Sequence, residues 1–280
     1  MLVLLPPSEG KTAPDDGPPL DLTALALPGL TRARSTVLDA LVAVSNRPDA
    51  LEVLRAPASA GEEVAAQRRI HELPTARADR VFTGVLFDRA GIADLDGAAR
   101  ERADRDVLVM SAAFGALSPA DRIPAHRLGA TATLPDLGGL GAFWRGPLAA
   151  ELDDRAAGTL VVDCRSGGYR AMWKVPPTAQ HVEVGAVTVR GGRRSVVSHD
   201  AKWFRGLLVG HLLRRGGAAP ATPDELAAAA GELVGTVREA AAPPRKGAER
   251  TTWTLTDVEL TPPARTGGPT DLTMVLTQRP

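Results

Sequence analysis

The chain has 280 residues and a mass of 29.2 kDa, enough for one large domain with a substantial core. Hydrophobic residues make up 44% and charged residues 24%, which excludes a wholly disordered chain. The 33 basic and 33 acidic side chains cancel, so no bulk field drives the molecule onto nucleic acid or membrane. The single cysteine, Cys164, excludes an intrachain disulfide and any multi-cysteine metal cluster.

In chain order, Leu2-Val-Leu-Leu5 is a short buried strand stopped by Pro6-Pro7. This run is too short, and too poor in basic residues, for a signal peptide. No apolar stretch approaches the roughly 20 residues that cross a bilayer. The expectation is a cytoplasmic protein without membrane contact. Residues 13–30 are rich in Pro and Gly and read as a surface loop. Val37, Leu38, Leu41, Val42 and Val44 recur at helical spacing after Thr31, and 51–73 is also expected to be helical. Residues 81–87 are consistent with a strand or the start of a helix. Val107–Met110 and Leu160–Val162 are further buried strands, and 182–189 with 195–198 form two more across Gly191-Gly192. A helix over 202–215 ends at Gly216-Gly217, and another runs from Pro223 to about Ala242. A basic loop follows over 243–250, then 253–260 and 272–278 alternate like a closing hairpin. Strands separated by helices, with no repeat and no linker, predict an α/β fold. It is expected to be a single compact domain over 1–280, with a mixed β-sheet flanked by helices.

Charge is unevenly placed. Residues 1–160 hold 17 basic and 22 acidic side chains, whereas 161–220 hold 10 and 3. A basic middle segment can meet an anion in an otherwise neutral molecule, because screening confines each charge to about 10 Å. Only four of the basic residues are lysine: Lys11, Lys174, Lys202 and Lys246. Lysine in so Arg-rich a chain hints at a need for a compact ammonium.

Four segments carry chemistry-bearing residues. Pro6–Thr12 follows a strand but has Leu5 where a P-loop needs Gly. What survives is Ser8, Lys11 and Thr12 at a strand's carboxyl end, able to meet a phosphate or carboxylate, or else a polar turn. Val107–Gly129 runs from a strand into small residues and presents Ser111, Asp121, His126 and Arg127; capped turns, with Asp121 as a helix cap, explain the same pattern. Val161–Lys174 repeats the strand-then-glycine design in Arg165-Ser166-Gly-Gly168-Tyr169, whose backbone N–H groups suit an anion. Cys164 reads as a small buried residue. Ser198–Gly206 sets Lys202 and Arg205 on one helical face beside Trp203. Leu27–Leu38 lacks the second glycine of a helix-hairpin-helix, where Thr31 stands. The histidines show no metal spacing, so neither metal nor cofactor is expected.

Together, in this order, these segments resemble the bacterial peroxide-stress protein YaaA family over about residues 1–215. The matching residues are Pro7-Ser8-Glu9-Gly10-Lys11-Thr12, then Phe82-Thr83-Gly84. A longer block follows through Ser111, Gly115, Leu117, Pro119, Asp121, Pro124 and Arg127-Leu128-Gly129, then Phe143-Trp144. Ala201, Lys202, Arg205 and Gly206 complete the match. The family's acidic pair before its tyrosine is Gly167-Gly168 here, the Tyr of its Pro-Tyr-Arg is His126, and its Glu after Arg-Leu is absent. The resemblance implies one α/β domain with a positively charged groove and a part in surviving hydrogen peroxide. It also implies limitation of iron-dependent damage and DNA binding. The long block is also similar to nucleobase-handling folds related to uracil-DNA glycosylases, which keeps open an enzyme acting on a nucleotide or base.

Two arrangements are therefore expected for different outcomes. Lys202, Arg205, Arg165, Arg170 and Lys174 would neutralise DNA phosphates without sequence preference. Lys11, Ser111, Asp121, Arg127, Ser166 and Lys202 would instead converge on a small anionic or nucleotide ligand. Thr83 and Tyr169 join the candidate ligand residues through the same motifs. A partner-binding protein without ligand is the third possibility.

Overall fold

The three shortest apolar runs build the middle of the structure. In this computed structural model, which describes residues 1–196, 199–239 and 252–279, β1 (Leu2–Leu5), β2 (Val107–Ser111) and β4 (Leu160–Asp163) are buried along their whole length. Continuous burial requires cover on both faces, the situation of strands in a parallel sheet. They pair in parallel, with β1 between β2 and β4. β3 (Gly115–Leu117) adds antiparallel to β2 as the edge.

On the other side β5 (Gln180–Arg190) runs parallel to β4. Its burial alternates along 182–188, so one face meets the core and the other is partly open. Gly191 and Gly192, with φ of 51° and 77°, turn the chain into β6 (Arg193–Val196), which pairs back on the far half of β5. The sheet is completed by β7 (Val237–Glu239), β8 (Thr252–Thr261) and β9 (Thr270–Arg279). The expected closing hairpin is present as β8–β9, and β9 inserts between β8 and β5, parallel to β5 over eight residue pairs. The order is β7-β8-β9-β5-β4-β1-β2-β3 with β6 beside β5, nine strands in one mixed sheet.

Helices flank it. α1 (Thr31–Ser45) buries Val37, Leu38, Leu41 and Val44 as its spacing predicts. α2 (Val85–Ala90), α3 (Gly97–Asp106) and α4 (Arg145–Ala156) follow, then the single turn α5 (Gly167–Arg170), α6 (His199–Arg214) and α7 (Pro223–Gly231). One continuous cluster of buried apolar side chains extends from Leu2 to Leu276. No helix among the described residues is long and apolar enough to cross a membrane.

Two expected helices come out differently. Residues 51–73 break into short pieces, Ala50–Val53, Gly61–Ala66 and two 3-10 turns. Arg55 turns left-handed (φ 50°) and Pro57 then bars continuation. The helix from Pro223 stops at Gly231, and the chain becomes β7 because Trp253 and its neighbours offer a strand to pair with. Between residues 81 and 87 the chain is helical on both sides of Gly84, whose φ of 114° breaks it. The basic 243–250 loop, and residues 197–198 of the expected second strand, lie outside the described residues.

Candidate functional site: a cationic cleft

The loops that leave β1 and β4, the chain around Arg127, and the first turns of α6 meet at the carboxyl ends of the parallel strands. Ligands gather at such edges in open α/β sheets. The cleft between them has a volume of about 330 Å³. Pro6 and Pro7 cannot extend the ladder of β1, so the chain turns out of the sheet and lays Ser8–Lys11 along one wall. That wall is tied down by its backbone: Thr12 N–H donates to the Val81 carbonyl at 2.9 Å, and Lys11 bridges to Phe82.

Five cationic side chains line the cleft, Lys11, Arg55, Arg127, Lys202 and Arg205, against one carboxylate, Glu9. Lys11 Nζ donates to the Ser8 carbonyl at 3.0 Å and lies 5.8 Å from the centre of the Phe82 ring. Burial, with the Arg127 guanidinium close by, brings its pKa down to about 8, against the pull of Glu63 and Glu9. Arg127 is held 3.6 Å from Glu63. Arg205 donates Nε–H to the Val184 carbonyl at 2.8 Å, which fixes its guanidinium at the cleft edge. Lys202, three residues earlier on α6, is exposed and has no carboxylate within ion-pair distance among the described residues. Ser166 and Tyr169 complete the rim, and burial raises the Tyr169 hydroxyl to about 12, so it stays protonated.

Of the residues singled out from sequence, Ser8, Lys11, Arg127, Ser166, Tyr169, Lys202 and Arg205 line this cleft. Thr83 lines a smaller adjoining hollow of about 150 Å³, shared with Ser8 and Lys202. The others, Arg170 among them, do not line it. Thr12 is exposed and acts through its backbone. Ser111 is buried, its Oγ 3.4 Å from His126 Nε2. Asp121 is buried and accepts from the Ala26 and Ser118 N–H groups at 2.7 and 2.9 Å, tying loop 13–30 to the sheet rather than capping a helix. Lys174 is exposed and lies outside the cleft lining.

Arg165 belongs to the core. Its fork clasps Asp163 at 2.9 and 2.8 Å, and Nη1 donates to the Trp173 carbonyl at 2.9 Å. Both side chains are at most 1% exposed, so no phosphate reaches this guanidinium. Asp163 also takes His181 Nε2 at 3.1 Å, while Arg170 pairs with Glu183. Burial alone would raise the Asp163 carboxyl; His181 and Arg165 overcome it and hold the pKa far below the usual range. Asp163, His181 and Glu183 offer ligand atoms within 4.8 Å of one another, but Arg165 and Arg170 already neutralise the two carboxylates. The sequence hid this cluster because His181 and Asp163 meet only once β4 and β5 are known to pair in this register. It hid Arg55 as well, since nothing local marks an arginine that will turn left-handed. Cys164 is buried, as expected, and burial pushes its thiol up to about 12.

A nine-stranded mixed sheet flanked by helices, with an open cleft lined by cationic side chains at the ends of its parallel strands, defines an α/β protein. The chain belongs to the family described as peroxide stress protein YaaA, whose model matches residues 1–232. It is similar to a UPF0246 protein of Streptomyces coelicolor, 43% identical over 252 residues, covering 88% of this chain and 95% of that one. A UPF0246 protein of Corynebacterium efficiens is 37% identical over 216 residues, 74% and 83% of the two chains. One from Cereibacter sphaeroides is 31% identical over 224 residues, 74% and 84%. Membership supports a role in the response to peroxide.

Proposed function

We propose that this peroxide-stress protein binds DNA without sequence preference, receiving backbone phosphates in the cleft between the Ser8–Lys11 wall and α6. The observation that carries this is the meeting of Lys11, Arg55, Arg127, Lys202 and Arg205, from separate parts of the chain, around one open recess. Among the described residues the carboxylates near these five cations are Glu9 in the lining and Glu63, 3.6 Å from Arg127. Three of the five come from the acidic N-terminal part of the chain, so the recess is a product of folding and not of local composition. At about 330 Å³ it has room for a single nucleotide-sized group. Protection from iron-driven peroxide damage follows, in this reading, from cover over the DNA and not from an iron site.

The test is a salt titration of binding to mixed-sequence duplex. Affinity falls with a log–log slope of about −0.9 per phosphate contacted. Lys202→Glu and Arg127→Glu each lower affinity roughly fivefold or more and flatten that slope by about one unit. Lys174→Glu, away from the cleft, leaves both unchanged. Absence of binding at about 50 mM salt, or equal binding by all three variants, overturns the reading.

A further inference from the structure

Lys11 is an odd choice for a plain phosphate contact. Arginine fills 29 of the 33 basic positions in this chain and grips phosphate through a planar fork. Of the other lysines, Lys174 and Lys202 are exposed, and Lys246 lies outside the described residues. Lys11 is partly buried at the junction of two hollows, the cationic cleft and a mainly apolar pocket of about 200 Å³ walled by Leu73, Pro74 and Ala125, with Glu63 and His126 also in its lining. Among the described residues no carboxylate lies within 4 Å of its amine. Among the described residues its amine donates to the Ser8 carbonyl, and the Phe82 ring lies beneath it; both contacts favour the charged form. A guanidinium, Arg127, lies close enough to oppose its charge. Burial and this guanidinium outweigh those contacts and the pull of Glu63 and Glu9, and raise the share of free amine.

We propose that the Lys11 amine forms an imine with the aldehyde of a phosphorylated sugar held in the cleft, either a free sugar phosphate or the base-less position of a DNA strand. This rests on the phosphate-receiving role of the same cleft. The free-base nitrogen makes a C–N bond to the aldehyde carbon, and the carbonyl oxygen takes a proton that the nitrogen sheds. Loss of the second N–H proton with that hydroxyl releases water and leaves C=N. Amine plus aldehyde thus gives imine plus water, with nothing oxidised or reduced. The neighbouring guanidiniums hold the phosphate, and the apolar pocket limits water beside the new bond. With Lys11 near 8, about one molecule in ten carries the free amine at pH 7, against roughly one in a few thousand for a solvated lysine.

The test treats the full chain with ribose 5-phosphate, or with a duplex carrying one abasic site, then reduces with borohydride and maps the modified peptide. The expected result is an adduct on Lys11 in at least one arm, about tenfold or more above that on Lys174, with yield rising to a midpoint near pH 8. Lys11→Arg abolishes the adduct while its circular dichroism spectrum and thermal midpoint stay close to the parent's, which separates loss of the amine from loss of the fold. An adduct in only one arm assigns the source. If ribose 5-phosphate is trapped on Lys11 but DNA does not bind, the imine stands and the DNA reading falls. If DNA binds and no Lys11 adduct forms in either arm, the imine falls and the DNA reading stands. Modification spread evenly over Lys11, Lys174 and Lys202 also overturns the proposal.

Discussion

Two buried ionisable side chains set how this protein responds to acid. His126 is 4% exposed, packed edge-on against Phe114 and Phe82 at 5.1 and 6.1 Å. A carbonyl can only accept, so Nδ1 carries the hydrogen that points to the Pro124 carbonyl at 3.1 Å, and Nε2 accepts from Ser111. Burial, with Lys11 adding to it, lowers its pKa to about 3. The unfolded chain takes up a proton near pH 6.5 that the folded chain refuses, so stability falls as pH drops between those values, by about 1.4 kcal/mol per unit. His126→Phe removes that slope, and its thermal midpoint changes less than the parent's between pH 6.5 and 4.

Asp163 acts in a lower window. Its folded pKa is depressed, so its stabilisation is present above the unfolded value near 4 and is lost as pH falls toward the folded one. Asp163→Asn strands the buried Arg165 and costs about 3–5 kcal/mol at neutral pH, measured by denaturant unfolding. Neither residue was legible as a structural group. Ser111 and Asp121 sit in the same motif as Arg127, and Arg165 in the same motif as Ser166 and Tyr169, and identity alone does not say which polar side chains the fold will bury.

At the level of elements, α6 is held against α2 by the absence of side chains. A Cβ at Gly206 would meet the Leu86 carbonyl oxygen at 2.4 Å, and one at Gly210 the Ala90 carbonyl oxygen at 2.7 Å. Both neighbours are backbone and cannot swing aside. Gly206→Ala therefore drives α6 outward and carries Lys202 and Arg205 with it. The expected outcome is a loss of about 2 kcal/mol or more in stability together with several-fold weaker DNA binding, whereas a purely local defect would leave the binding of the folded fraction intact. Which elements could be foreseen follows from how they are buried. β1, β2 and β4 announce themselves because strands covered on both faces must be apolar throughout, and α1 because one face only is covered. The Ala-rich stretch after Pro223 has good helix-forming residues beyond Gly231, yet β7 forms, since pairing with β8 outweighs local preference.

For the whole molecule, the sheet depends on residues beyond the stretch that carries the family match, which ends at 232. β9 pairs with β5 from Thr270↔Val182 to Thr277↔Val189. It brings buried Leu272, Met274 and Leu276 into the core. A chain cut after residue 232 leaves β5 as an open edge with an apolar face uncovered. It is expected to lack a cooperative unfolding transition and to aggregate on heating, as calorimetry and light scattering would record. A soluble, sharply melting fragment would contradict this.

The position of β9 also has a consequence for synthesis. A ribosome adding roughly 5–20 residues per second takes several seconds or more to travel the eighty-odd residues between β5 and its partner. Throughout that interval the nascent sheet holds a vacant slot, and a chaperone that shelters exposed strands would find its client there.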